Sequence, residues 1–223
     1  FLARVPVVTG PSEIAFRPDD VVFFCLKGQY TEGAVRGLRK FVEDVPLFCF
    51  QNGMRNEEML ARHFSRVYGV IVRVGASHLS DGEVVCQRDP PGWFIIGRYP
   101  TGTDALAEAV VQALRTGGFF AKTIEDFTPY KWGKLSLNLP NAIRAITDTG
   151  NEGIGPIIQA AQDELHGLLK DAGIRWISDR DQIKEWPEIA GPLRGKLVMK
   201  SRDSTWQSLV RGEGAVETEL LNG

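Results

Sequence analysis

An α/β domain followed by an all-α domain is the fold class predicted by this 223-residue sequence. Three observations carry that reading. Short apolar runs alternate with helical patterns from Val5 to Ala121, the pattern turns helical from Thr128-Pro129 onward, and the second half contains no clear strand. The boundary is placed near Thr123, giving a mixed-sheet segment, 1–123, and a helical segment, 124–223.

The expected strands are Val21-Leu26, Pro46-Phe50, Tyr68-Val74, Trp93-Gly97 and Phe119-Ala121, bounded by Gly, Pro, Asn and Asp. The first two read as buried on both faces. Between them Thr31 to Glu43 carries Ala34, Val35, Leu38, Phe41 and Val42 at helical spacing, with Thr31 as N-cap and Glu32 in the first turn. Strand, helix and strand then form a right-handed crossover between parallel strands, and the loops after Leu26 and Phe50 lie on its ligand-facing edge. A second helix is expected from Asn56 to Phe64, capped by Asn56, and a third from Thr103 to Thr116, stopped by Gly117-Gly118. In the second half Pro129 to Asp148 and Pro156 to Ala172 read as helices separated by the Gly-rich turn Gly150 to Gly155. Pro140 should kink the first of them, and a Pro/Gly-rich stretch runs from Pro187 to Gly195.

Charge and cysteine usage narrow the partners. Lys and Arg number 26 against 28 Asp and Glu, with no basic stripe of the kind that neutralises a phosphate backbone, so no nucleic acid partner is expected. The longest apolar run, Val21 to Leu26, falls far short of the roughly 20 residues a spanning helix needs, so no membrane segment is expected. Cys25, Cys49 and Cys86 are odd in number and widely spaced, which fits neither a disulfide framework nor a zinc site and points to a reducing, cytoplasmic compartment. Cys25 and Cys49 sit in apolar runs and read as small buried hydrophobes. His63, His78 and His166 show neither metal-ligand nor triad spacing, so no metal is expected.

The residues that could carry chemistry are local. Lys27 follows the first strand at the ligand edge, where a cation would meet an anion, although a lone strand-end Lys is usually just solvated. Gln51-Asn52-Gly53-Met54 follows the second strand and offers an amide beside a glycine that a flat ligand can approach. By itself Asn-Gly also reads as an ordinary turn. Lys134 and Asn138 are four apart and share a helix face. Reducing a ketone needs a hydride on carbon and a proton on oxygen, and an ammonium near the carbonyl can deliver the second, with the amide orienting the substrate. A solvated polar stripe is the alternative. Near the end Ser204 could hold a carboxylate and Glu217 a hydroxyl or ammonium. A phosphate-cradling Gly-x-Gly-x-x-Gly is absent: Gly153-x-Gly155 and Gly212-x-Gly214 lack the third glycine and the preceding strand.

In this order and spacing Leu26-Lys27, Gln51-Asn52-Gly53-Met54, Ile95-Ile96-Gly97, Trp132-x-Lys134-Leu135-x-x-Asn138, Ser204-x-x-Gln207 and Glu217-x-x-x-Leu221-Asn222-Gly223 resemble the ketopantoate reductases (2-dehydropantoate 2-reductases) over nearly the whole chain. The resemblance implies a Rossmann-like NADP-binding domain, here without its first strand and Gly-rich loop, and a helical substrate domain cut short at its end. The start at Phe1 and the stop at Gly223 fit that picture of a fragment, which would be inactive alone. It further implies Lys134 and Glu217 as catalytic residues, Lys134 being the general acid. Asn138 and Ser204 would bind substrate, and Lys27 and Asn52 would line the cofactor cleft. NADPH is the implied hydride source, a 2-oxo acid the substrate, and the helical domain would pair subunits if the protein is a homodimer. Two departures stand out: Ala142 where the family often has a second Asn, and Ser201 where it often has another. Besides ketopantoate reduction for pantothenate and coenzyme A synthesis, they leave open a paralogue acting on another 2-oxo acid or ketone. A non-catalytic NADP-binding protein is the reading from a different class.

Overall fold

The computed structural model describes residues 2–147, 153–191, 196–197 and 203–212. Its centre is a five-stranded sheet of β1 (Val22–Phe24), β2 (Leu47–Cys49), β3 (Val67–Val74), β7 (Gly92–Arg98) and β8 (Phe120–Thr123), in that spatial order. β1, β2 and β3 are mutually parallel, β7 runs antiparallel to β3, and β8 is parallel to β7. The α1 helix (Thr31–Arg39) makes the expected crossover between β1 and β2, and α2 (Asn56–Ala61) and α3 (Ala105–Thr116) follow β2 and β7. Asp104 caps α3, accepting from Ala107 N at 2.9 Å, and Gly118 ends it with φ +85°.

Residue alternation along β3 sorts the packing. Val67 joins Val35, Leu38, Leu47 and Leu60 beneath α1 and α2, whereas Tyr68 and Val70 turn to the other face and meet Val110 and Val111 of α3. Further along the first face, Ile71 joins Trp93, Ile95, Phe127, Tyr130, Trp186 and Ile189, where the helical half docks. That docking depends on Gly69 and Gly97, which are paired across β3 and β7. A Cβ on Gly69 would stand 2.1 Å from the Phe127 ring, and one on Gly97 would stand 2.7 Å from the Ile124 carbonyl. The two glycines make the flat place on which Phe127 rests.

The helical half contains α4 (Thr128–Asn138), α5 (Pro140–Ile146), α6 (Ile154–Asp171), α7 (Asp179–Glu185) and α8 (Ser204–Val210). Pro140 does more than bend its helix: it opens a new one, α5, after a break at Leu139. Ser178 and Asp203 cap α7 and α8 through their side chains.

Several expectations need correction. β1 is deeply buried on one face alone: Phe24 joins the core beneath α1, whereas Phe23 on the other face touches only the Phe48 and Phe50 rings among the aromatic contacts of the described residues and stays partly open. Phe23 is 45% exposed and Cys25 is exposed, while Cys49 on β2 is buried. Thr31 and Asn56 are not N-caps; Tyr30 and Arg55 hold those positions and the two side chains bond to each other instead. A hairpin of β4 (Ala76–Ser80) and β5 (Glu83–Cys86) lies where no strand was expected, since its polar, Ser- and Asp-containing sequence lacks apolar alternation. β6 (Arg88–Asp89) pairs with β9 (Lys196–Leu197), a strand in the second half too short to show a period.

Candidate active site

Parallel β1, β2 and β3 all end at one edge of the sheet, and antiparallel β7 begins there. A cleft of about 440 Å³ opens at this edge, a volume suited to a small-molecule site. Phe50 and Asn52 come from the loop after β2, and Val72, Arg73 and Val74 from the end of β3. Lys134 and Asn138 come from α4, Asn141 from α5, and Asp203, Ser204 and Gln207 from the start of α8. Asn52, Lys134, Asn138 and Ser204, scattered through the sequence, thus line one space. Lys27 sits at its margin, its Nζ 3.5 Å from the carbonyl oxygen of Ser204. Glu217 and Ser201 lie outside the described residues.

The Asn52 loop is held from below by a buried polar network. Gln51 Nε2 donates to the Leu26 carbonyl and to Thr31 Oγ1, both at 2.8 Å. The Thr31 hydroxyl donates to Asn56 Oδ1 and Asn56 Nδ2 to the Asn52 carbonyl, again at 2.8 Å each. The loops after β1 and β2 are thereby stitched together, and Gly53 completes the turn at φ +88°.

Lys134 projects from α4 onto β3, where its Nζ donates to the Val72 carbonyl. Burial, then the positive charges of Arg73 and Lys131, hold its ammonium well below the ordinary lysine range, with Asp179 opposing them. Arg73 is ion-paired with Asp179 and lies over the Trp93 ring, 5.9 Å from its centroid. One turn before Lys134 on α4, Lys131 forms a second ion pair with Glu57 of α2, both side chains at most 4% exposed. Burial works against the Lys131 charge too, but Glu57 prevails and raises its pKa.

The wall opposite α4 is the β4–β5 hairpin, clasped by α8. Gln207 Oε1 accepts from the His78 backbone N–H at 3.2 Å, and Arg211 donates to His78 Nδ1 at 2.9 Å, which requires that ring nitrogen to be unprotonated. His166 stacks on Trp176 and bonds Ser136 at 2.9 Å, away from the cleft lining. Among the described residues no helix is long and apolar enough to cross a membrane.

Reasoning from the sequence missed Arg73, Asn141, Asp179 and the Lys131–Glu57 pair. Asn141 carried a signal, since Pro140 shifts the helix register just where Ala142 departs from the expected amide. Lys131 carried one as well, being three residues before Lys134 and so on the same face.

A parallel-ended sheet with a helical cap over its carboxyl edge is a Rossmann-like architecture of the kind found in nicotinamide-dependent reductases. Residues 3–101 match the family model described as ketopantoate reductase PanE/ApbA. The chain is 27% identical over 212 residues to the 2-dehydropantoate 2-reductase of Archaeoglobus fulgidus, covering 92% of this chain and 67% of that protein. It superposes on a 2-dehydropantoate 2-reductase from Geobacter metallireducens with a TM-score of 0.68 at 21% identity, covering 95% of this chain and 70% of the other. A D-mandelate dehydrogenase solved with NADH gives 0.67 at 15% identity, covering 92% and 70%. The chain is thus similar to the ketopantoate reductase family over residues 3–101 and, at low identity, to oxidoreductases over most of its length.

Proposed function

We propose that this chain supplies the reaction cleft of an NADPH-dependent reductase that converts a 2-oxo acid, ketopantoate foremost, to its 2-hydroxy acid. With ketopantoate the product is pantoate, for pantothenate and coenzyme A synthesis. The observation that carries the proposal is the convergence of Lys134, Asn138, Asn52 and Ser204 on one cleft at the carboxyl edge of the sheet.

The cleft fits a nicotinamide ring and a small acid. Phe50, Val72 and Val74 give an apolar side, Asn52 an amide at the loop, and the volume suits those two groups and not a whole dinucleotide. Asn52 and Lys27 would hold the nicotinamide end. A reduced nicotinamide, when bound, supplies the hydride to the ketone carbon. Lys134 gives its proton to the carbonyl oxygen, Asn138 orients that oxygen by hydrogen bonding, Ser204 takes the carboxylate, and Glu217 holds the hydroxyl end of the substrate. An anionic substrate also corrects the charge balance. It brings a negative group to a cleft lined by Lys134, Arg73 and Arg88, and so works against the lowering of the Lys134 pKa by burial.

The test is loss of NADPH absorbance with ketopantoate on the full-length gene product beside Lys134→Ala. At least about a hundredfold loss in kcat is expected for removal of a general acid. Turnover that survives the substitution removes Lys134 from the role, and a parent inert with ketopantoate removes the substrate. A homodimer is suggested by the resemblance and a cytoplasmic location by the cysteine usage. Sedimentation and cell fractionation read them.

A further inference from the structure

We infer that Arg73 and Asp179 are a positioning pair that sets how readily Lys134 carries its proton, Asp179 supporting the ammonium and Arg73 opposing it. The inference deepens the proposed function and rests on Lys134 as the proton donor there.

The geometry places the pair against the lysine from two sides. Arg73 follows Val72, whose carbonyl takes the Lys134 ammonium, and it shares with Ile71 the sheet face on which the helical half docks. Asp179 is the first residue of α7, and the segment before α7 is pressed into α4 beside Lys134. Ile177 N donates to the Pro129 carbonyl at 3.0 Å, and a Cβ on Gly133 would stand 1.8 Å from the Ile177 carbonyl oxygen. Only a glycine at 133 allows that approach, which holds the start of α7 against α4 within electrostatic reach of Lys134.

The pair is also incompletely matched. Arg73 NH2 meets Asp179 Oδ2, but the buried Arg73 Nε and Asp179 Oδ1 have no partner among the described residues. A closed structural ion pair would satisfy these atoms. The pair is formed but not saturated, and its two charges lie beside the lysine in a poorly screening interior. The other charged groups around Lys134 do not offer the same lever. Lys131 on α4 is closed by Glu57 of α2, while Arg88 and Asp203, both partly exposed, line the cleft. Burial raises the Asp179 carboxyl, and Arg73 and Lys134 pull it back, as expected for one carboxylate shared by two cations.

The test titrates Lys134 itself. Lysines of the full-length protein are reductively ¹³C-methylated, the Lys134 resonance is assigned by its loss in Lys134→Arg, and its midpoint is followed by NMR. Asp179→Asn should lower the midpoint and Arg73→Gln should raise it, each by at least about half a pH unit given the size of single-charge effects. Arg73→Lys should stay near the parent, and the double variant Arg73→Gln/Asp179→Asn should return towards it. Opposite signs are the signature, because loosened packing would move both single variants upward, towards the free lysine value. Two upward shifts, or none, overturn the inference. The readout needs no turnover. Expected shifts in a protein whose turnover survives Lys134→Ala leave the pair standing and remove the donor role; turnover lost in Lys134→Ala with a midpoint unmoved by the pair's variants does the reverse.

Discussion

Two buried ion pairs meet the α4 helix three residues apart, and they are built to different ends. Lys131–Glu57 is dry, with both side chains almost wholly excluded from solvent, and it fastens α4 to α2 beneath the Asn52 loop. Arg73–Asp179 is four-fifths buried, borders the cleft and leaves an unpartnered nitrogen and oxygen. Lys134 stands beside the second pair with its charge disfavoured, whereas Lys131 keeps its charge because Glu57 is committed to it. The same helix thus holds one lysine whose proton is locked and one whose proton is available. What separates them is how fully the local carboxylate is committed, since both are deeply placed.

Breaking the closed pair should have the largest effect. Glu57→Ala strands Lys131 in the interior and should cost about 3–5 kcal/mol, read by urea unfolding. The double replacement Glu57→Leu/Lys131→Met should recover most of that loss. Gly133→Ala comes next. Its new methyl collides with backbone, and the expected cost is about 1–3 kcal/mol, together with a change in the Lys134 titration as α7 moves away. Lys134→Met should go the other way and stabilise the protein by about 0.5–2 kcal/mol. The sign follows from linkage. A lysine whose folded pKa is depressed binds fewer protons folded than unfolded, so the parent loses stability as pH falls from the free lysine value to the folded one. The Tm gap between variant and parent should therefore close as pH approaches 10 or so, the free lysine range, and widen towards neutrality. Catalysis should show the same group: kcat/KM should fall as pH rises through the lowered Lys134 pKa, since the donor must be protonated. The smallest effect is the sharpest control. Glu58, next to Glu57, makes an exposed bond of 2.6 Å to Arg62, with both side chains more than half exposed, and Glu58→Ala should change stability by about 0.5 kcal/mol or less.

Glu57 and Glu58 also show what the sequence could and could not reveal. Both read as acids in the first turn of a helix, favourable to its dipole, and nothing local distinguishes the one that is buried. That difference is made by Lys131, 74 positions away. Arg73 and Asp179 are likewise far apart in the chain and meet only after the helical half has docked. The five strands of the central sheet and most helices were readable because apolar spacing and turn residues are local, whereas the polar β4–β5 hairpin was not. Asn52, Lys134 and Asn138 stood out by an element end or a helix face, and Ser204 by the family pattern; all four line the cleft. Thr31 and Asn56 misled because a small polar side chain before a helix signals a cap, and here the two served a network spanning both loops. Glu217 depended on the family pattern and lies outside the described residues.

The clasp of α8 on the β4–β5 hairpin bears on how the molecule assembles. Its bonds join residues 129 and 133 positions apart, and Lys27 reaches Ser204 across 177. Closing loops of that length costs chain entropy before any contact repays it. By contrast, the β1–α1–β2 crossover and the β3–β7 pairing close over short spans. The cleft wall is therefore expected to fold after the sheet, since it cannot close before the segment carrying α8 is present; pulsed hydrogen exchange during refolding should protect β2 and β3 before the β4–β5 hairpin.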